Sequence, residues 1–229
     1  MARTSNALLR TLGLAICSVG LSFAGCSGGG GEGGSKGRTT STAVRILHGA
    51  LDEAPLSVSV GGTLRQTAAF GDVTEFQEVE EGTLQVTVHR ANSPSDISYN
   101  SPNNFVKAVE YTVFASGQAR DGQFRVQIVP EAVQKPEDGR AFIRVFNGFS
   151  SDAPVRVVCD DVQSGPVGRG SVSDFIDVPS GPRVCRVLRG SGELQSISLD
   201  LEDGSETALL VAGAEELGFS VVRAIVDLD

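Results

Sequence analysis

The residues of this chain whose chemistry can be read at once are two histidines, four cysteines and several acidic clusters. A general base or a metal ligand would be sought first in His48 and His89. Neither stands at a metal-ligand spacing, and each is expected to have a surface or strand-end role. Serines are frequent, yet no G-x-S-x-G nucleophile elbow occurs. The glycine-rich run Ser27–Gly37 precedes no helical pattern and lacks the Lys-Ser/Thr pair of a phosphate loop. Glu75, Glu78, Glu80 and Glu81 crowd one region, and Asp160-Asp161 and Asp200–Glu206 crowd two others. Calcium needs several oxygens converging from a turn. Gly204 would suit one, but the acids around it miss the EF-hand spacing, so a solvated acidic face is expected. No catalytic group, metal site or cofactor is predicted, and the chain reads as a non-enzyme.

Charge narrows the partners. The formal net charge is −9, and about −11 once the first 25 residues, which carry Arg3 and Arg10 and no acid, are set aside. Nucleic acid is held mainly by Lys and Arg, so it is not an expected partner. There is no Trp, and most Phe fall at strand positions, which argues against an aromatic sugar platform.

The N-terminus gives an address. After Arg3 and Arg10, Thr11–Ala24 is apolar or small throughout. As a helix it would reach roughly 21 Å, short of the ~30 Å hydrocarbon core, so it reads as a signal segment. It ends in Phe23-Ala24-Gly25-Cys26, which resembles the lipobox of bacterial lipoproteins, with Phe23 where Leu is favoured. The resemblance implies cleavage after residue 25, lipid on Cys26 and an anchor in the cell envelope. By resemblance to the sorting rule of enteric bacteria, Ser27 in place of Asp implies the outer membrane if the host is Gram-negative. The tract that follows, to Thr42, behaves as a flexible tether with an r.m.s. reach of roughly 20–24 Å.

Beyond the tether the sequence repeats. Arg45-Ile-Leu-His-Gly returns as Arg144-Val-Phe-Asn-Gly, and Gly71-Asp-Val-Thr-Glu-Phe76 as Gly170-Ser-Val-Ser-Asp-Phe175, with one offset and no gap. Later, Tyr111–Gly117 resembles Thr207–Gly213. Two tandem units follow, 43–133 and 141–229, joined by a linker at 134–140. Leu56, Val58 and Val60 alternate with small residues, as Leu84, Val86 and Val88 do with polar ones, marking half-buried strands. Further strands are predicted at Val44–His48, Val73–Val79, Val109–Ala115 and Phe124–Val129. Glu53-Ala-Pro55 and Asp152-Ala-Pro154 read as turns. The fold class is all-β: two tandem antiparallel sandwiches, immunoglobulin-like or transthyretin-like.

These shared residues resemble the secreted bacterial domains known as domain of unknown function 4397. Arg45, His48, Ala54-Pro55, Gly71, Val73, Tyr111-Thr112-Val113 and Gly117 match its pattern in the first unit. Arg144, Asp152-Ala153-Pro154, Gly170 and Val172 match in the second. Phe76 and Phe175 depart from it, standing where the family has Tyr. Membership implies exported β-sandwich modules and no particular activity.

Cys159 and Cys185 take the repeat positions of Val60 and Val86, in-phase residues of two alternating strands. Both should point into the second sandwich. An oxidising compartment favours a disulfide between them; two buried free thiols are the alternative. The expected function is that of a lipid-anchored envelope module presenting two β domains to a protein partner or for structural support. The alternatives are an accessory subunit of an envelope enzyme and a small-ligand or calcium binder.

Overall fold

Alternation does its predicted work in Leu56–Val60 and Leu84–Val88. Leu56, Val58, Val60, Val86 and Val88 are fully buried, while Gln85 is exposed. The computed structural model describes residues 41–51, 54–118, 122–131, 135–214 and 219–227. Among these residues every regular element is a strand. The first half contains β1 (Thr42–Ala50), β2 (Leu56–Val60), β3 (Thr63–Ala68), β4 (Gln77–Val79), β5 (Gly82–Arg90), β6 (Ser93–Phe105), β7 (Glu110–Gly117) and β8 (Arg125–Pro130). The second contains β9 (Arg140–Phe149), β10 (Val155–Cys159), β11 (Val162–Gln163), β12 (Ile176–Pro179), β13 (Gly181–Arg189), β14 (Gly192–Leu201), β15 (Glu206–Ala214) and β16 (Phe219–Asp227).

These strands make four sheets of four strands each. In the first half an outer sheet, β3-β2-β5-β6, faces an inner sheet, β4-β1-β7-β8. Val44, Ile46 and Val113 of the inner sheet and Val58, Val86 and Phe105 of the outer sheet fill the core between them. The second half has the same plan, β11-β10-β13-β14 over β12-β9-β15-β16, with its own core. The fold is therefore all-β and built of sandwiches, mostly with antiparallel pairs. At the centre of each inner sheet lies one parallel pair: β1 beside β7, from Ala43↔Glu110 to Ala50↔Gly117, and β9 beside β15.

A third cluster joins the two inner sheets back to back. Leu47, Phe114 and Val129 from the first half meet Phe146, Ala208, Leu210 and Ala212 from the second. The Phe114 and Phe146 rings lie 5.3 Å apart at 77°, an edge-to-face pair that adds about 0.5–1.5 kcal/mol beyond its buried area. The layers thus run outer, inner, inner, outer. β1, β7 and β15 are covered on both sides and buried along nearly their whole lengths, and β9 is buried continuously from Val145 onward after alternating between Arg140 and Arg144.

Two elements differ from the sequence expectation. Val73–Val79 is not a continuous strand: Val73 makes an isolated bridge to Leu47, and pairing resumes only at β4. The interruption comes from Thr74, whose N–H donates to the Ile46 carbonyl while its hydroxyl accepts the Ile46 N–H at 2.9 Å. That exchange replaces ladder pairing with a side-chain bond. Strand β6 has no apolar alternation and contains Pro102, which pairs opposite Gln85. It survives because it is an edge strand, where a missing N–H costs the sheet nothing. Phe105 at its end packs edge-on against Tyr111, centroids 5.1 Å apart.

Candidate functional site

The inner sheets bring the shared arginines together. Arg45 on β1 lies beside its register partner Thr112 on β7, and its Nε donates to Thr112 Oγ1 at 2.8 Å. Its Nη2 lies 3.0 Å from Glu131 Oε1, a carboxylate that also accepts the Thr112 hydroxyl proton. From the second half, Arg144 Nη1 reaches Glu131 Oε2 at 3.2 Å and the Pro130 carbonyl at 2.6 Å. One carboxylate therefore ties an arginine of each sandwich. The side chains of Arg45 and Glu131 are only 3% and 5% exposed. Each guanidinium also lies over a phenylalanine: Arg45 is 4.6 Å from the Phe76 centroid, and Arg144 is 4.5 Å from that of Phe175. The planar guanidinium suits both contacts, whereas an ammonium would lose the fork and the stack.

His48 is buried, not at the surface. Its Nδ1 accepts the Ala50 N–H at 3.2 Å, which leaves Nε2 to donate to the Ala54 carbonyl at 3.2 Å. In the second half Asn147 makes the first of these bonds at the repeat position and gives the other to a different carbonyl. Its Oδ1 accepts the Phe149 N–H at 3.0 Å and its Nδ2 donates to the Val167 carbonyl at 2.9 Å. Both side chains thus accept the N–H two residues on and reach a backbone carbonyl, that of Ala54 for His48 and that of Val167 for Asn147. His89 is half-buried, with Nδ1 3.0 Å from the Arg90 carbonyl.

Cys159 and Cys185 form a disulfide across β10 and β13, at directly opposed register positions with Cα atoms 4.1 Å apart. Val60 and Val86 are paired in the same register in the first half. Cys26 lies outside the described residues, as does Glu53. Asp152 is exposed at its turn and pairs with Arg169 at 3.0 Å.

The acidic clusters stay apart. Glu75, Glu80 and Glu81 are exposed, and Glu78 accepts the Ser41 hydroxyl at 2.7 Å. Asp160 pairs with Arg183, and Asp203 accepts the Gly139 N–H at 2.6 Å. Among the described residues no three His, Cys, Asp or Glu side chains are grouped to hold a metal ion.

Sequence reasoning missed Glu131, which lies in the Pro- and charge-rich stretch at the end of the first unit. The available signal was the pair Arg45 and Arg144 itself, because two arginines at shared core positions require a buried anion. It also missed a groove of about 480 Å³ in the second sandwich. The groove lies along 162–177, where the chain leaves β11 and returns to the opposite sheet in β12. Its apolar lining includes Val162, Val172 and Ile176, and its polar lining includes Gln163, Ser173 and Asp174. Asp177 at one end is engaged by Arg140, Nε to Oδ1 2.9 Å, a bond that raises the arginine's pKa above its ordinary value.

No curated protein matches the chain. Eleven solved chains match it, among them the following two. The carbohydrate-binding module CBMbc (family CBM26) of Eubacterium rectale Amy13K, solved in complex with maltoheptaose, is 10% identical, with 80% of this chain and 96% of that one covered and a TM-score of 0.27. A candidate cell adhesion protein of Bacteroides uniformis is 9% identical, with 82% and 99% covered and a TM-score of 0.26. The family described as Domain of unknown function (DUF4397) matches residues 42–158, from the first residue of β1 into β10. That stretch is more than half of the chain and includes Arg45, His48, Glu131 and Arg144, and on it the chain belongs to the DUF4397 family.

Proposed function

We propose that this chain is an exported lipoprotein, cut before Cys26, that presents a pair of tandem β-sandwiches as a binding or structural module of the cell envelope. The observation that carries the module reading is the seam. A lipid tether holds only the N-terminus, so the two sandwiches can act as one body only if they bind each other. The buried contacts of Phe114 with Phe146 and the Arg45–Glu131–Arg144 triad supply that coupling. The outer sheets and the groove are left to face a partner.

The tandem origin of the halves is supported by matching bonds. The His48 N–H donates to the Asp72 carbonyl and the Asn147 N–H to that of Ser171; the Gly71 and Gly170 N–H groups return to His48 and Asn147. A non-catalytic role is supported by His48, both of whose ring nitrogens are held by backbone groups.

Two measurements test the proposal. Mass spectrometry of the native protein should give an acylated N-terminus at Cys26, and Cys26→Ser should release the protein from membranes. Crosslinking in intact cells should then recover one envelope partner with the anchored protein and not with the released variant. A different N-terminus sinks the anchor, and a recovered metabolite in place of a partner sinks the module.

A further inference from the structure

The first sandwich contains its own ligand for the gap between its two sheets. Gln66, on β3, extends its carboxamide across that gap: Nε2 donates to the Glu75 carbonyl and Oε1 accepts the Thr74 hydroxyl proton. In the second sandwich Ser173 and Asp174 stand at the repeat positions of Thr74 and Glu75. The Ser173 hydroxyl accepts the Val145 N–H at 2.9 Å, as the Thr74 hydroxyl accepts that of Ile46.

The residue at the position of Gln66 is Gly165. It has no side chain, and a Cβ added there would meet nothing within 4 Å. The groove lies there, lined by Gly165, Ser173 and Asp174. With no amide between them, the Ser173 hydroxyl turns and donates to the Asp174 carbonyl at 2.7 Å. The donor and acceptor that one carboxamide bridges in the first half satisfy each other in the second.

We propose that this groove binds a carboxamide supplied from outside, the side chain of a glutamine or asparagine on an extended polypeptide. The primary amide would enter between the Ser173 hydroxyl and the Asp174 carbonyl, taking a proton from one and giving one to the other. Gln66 itself projects from a strand, so an extended chain is the presentation that the first half uses. The volume, about 480 Å³, leaves room for neighbouring residues of such a segment over Val162, Val172 and Ile176 and is within the usual span of a ligand pocket. A glutamate is refused, because its carboxylate has no proton for the Asp174 carbonyl. A site built around one donor and one acceptor discriminates strongly against an isostere that lacks either.

The inference deepens the module reading and rests on it, but the two fail separately. The module fails in cells for want of an envelope partner, whereas this site fails on the groove alone.

The test is a titration of the isotope-labelled full chain, followed by amide NMR, with the capped peptide Ala-Ala-Gln-Ala-Ala. The matched Glu peptide and free glutamine are the comparisons. The Gln peptide should shift resonances within 162–177, and the Glu peptide should bind at least about tenfold more weakly. Gly165→Gln should fill the groove from within and abolish binding. In case that variant folds poorly, Gln66→Gly should open a second site, read as new shifts at Thr74 and Glu75. Equal binding of the Gln and Glu peptides, no shifts within 162–177, or undiminished binding to a folded Gly165→Gln variant would overturn the site. Free glutamine binding as tightly as the peptide would overturn the polypeptide and leave a small-molecule amide as the ligand.

Discussion

Gly148 and Gly49, the same position in each half, meet backbone to backbone across the seam. A Cβ on Gly148 would lie 2.8 Å from the Gly49 carbonyl oxygen and 3.2 Å from its Cα. Those atoms are main chain and cannot swing away. Gly148→Ala should therefore force the inner sheets apart and lower stability by about 1–3 kcal/mol, the usual cost of overpacking. Thermal unfolding measures it. Gly165→Ala, where the added carbon meets open space, should be close to neutral and serves as the control.

Removing the carboxylate of the triad should cost more. Glu131→Ala leaves Arg45 and Arg144 facing each other with their shared anion gone, and a buried pair broken on one side loses about 3–5 kcal/mol. Glu131→Leu in an Arg45→Met, Arg144→Met background should recover much of that loss, since apolar replacements of similar size remove the desolvation cost as well. Denaturant melts of the single and triple variants decide this. If the triple variant is no more stable than Glu131→Ala, the cluster's contribution is not electrostatic.

The equivalence of His48 and Asn147 predicts which substitution is tolerated. His48→Asn should keep an acceptor for the Ala50 N–H, as Asn147 does for that of Phe149, and retain the fold with a modest loss. His48→Ala should cost more, because the Ala50 N–H is then left unpaired in the interior, at about 1–3 kcal/mol. Equal losses for the two variants in thermal melts would mean that packing volume, not bonding, governs the position.

The disulfide is an addition to a frame that closes without it. Val60 and Val86 fill the same register in the first sandwich, so Cys159→Val with Cys185→Val should fold. Loss of the bridge should lower stability by at most about 3–4 kcal/mol, the chain-entropy value for a loop of this size. Reduction of the native protein should give the same shift, and two reactive thiols in unreduced, denatured protein would remove the premise.

Much of the fold could be read from residue periodicity. Leu56–Val60 and Leu84–Val88 announced half-buried strands because each has one wet face and one dry face. The runs at Tyr111–Gly117 and Thr207–Gly213 announced strands too, but not the reason for their continuous apolarity. A residue such as Phe114 looks the same in sequence whether it enters its own sandwich or its neighbour's. The seam was hidden for that reason, and Glu131 with it, since a lone acid beside Pro130 resembles any solvated linker charge. Strand β6 was silent because backbone pairing at an edge asks little of side chains such as Ser101 and Asn104. The groove could be found only by subtraction, by noticing that Gln66 has glycine as its counterpart.

The parallel pairs at the heart of the inner sheets also set an order of events in time. Strand β1 cannot complete its ladder until β7 arrives, with all of β2 to β6 between them, and β9 waits in the same way for β15. Contacts so distant along the chain must close large loops before they return any energy, which makes this a slowly folding topology. The later strand of each parallel pair also contributes to the seam, through Phe114 on β7 and Leu210 on β15. A chain stopped before β15 is therefore expected to leave the second half open and susceptible to protease, while the first half, whose β1 and β7 are already present, can close its own parallel pair.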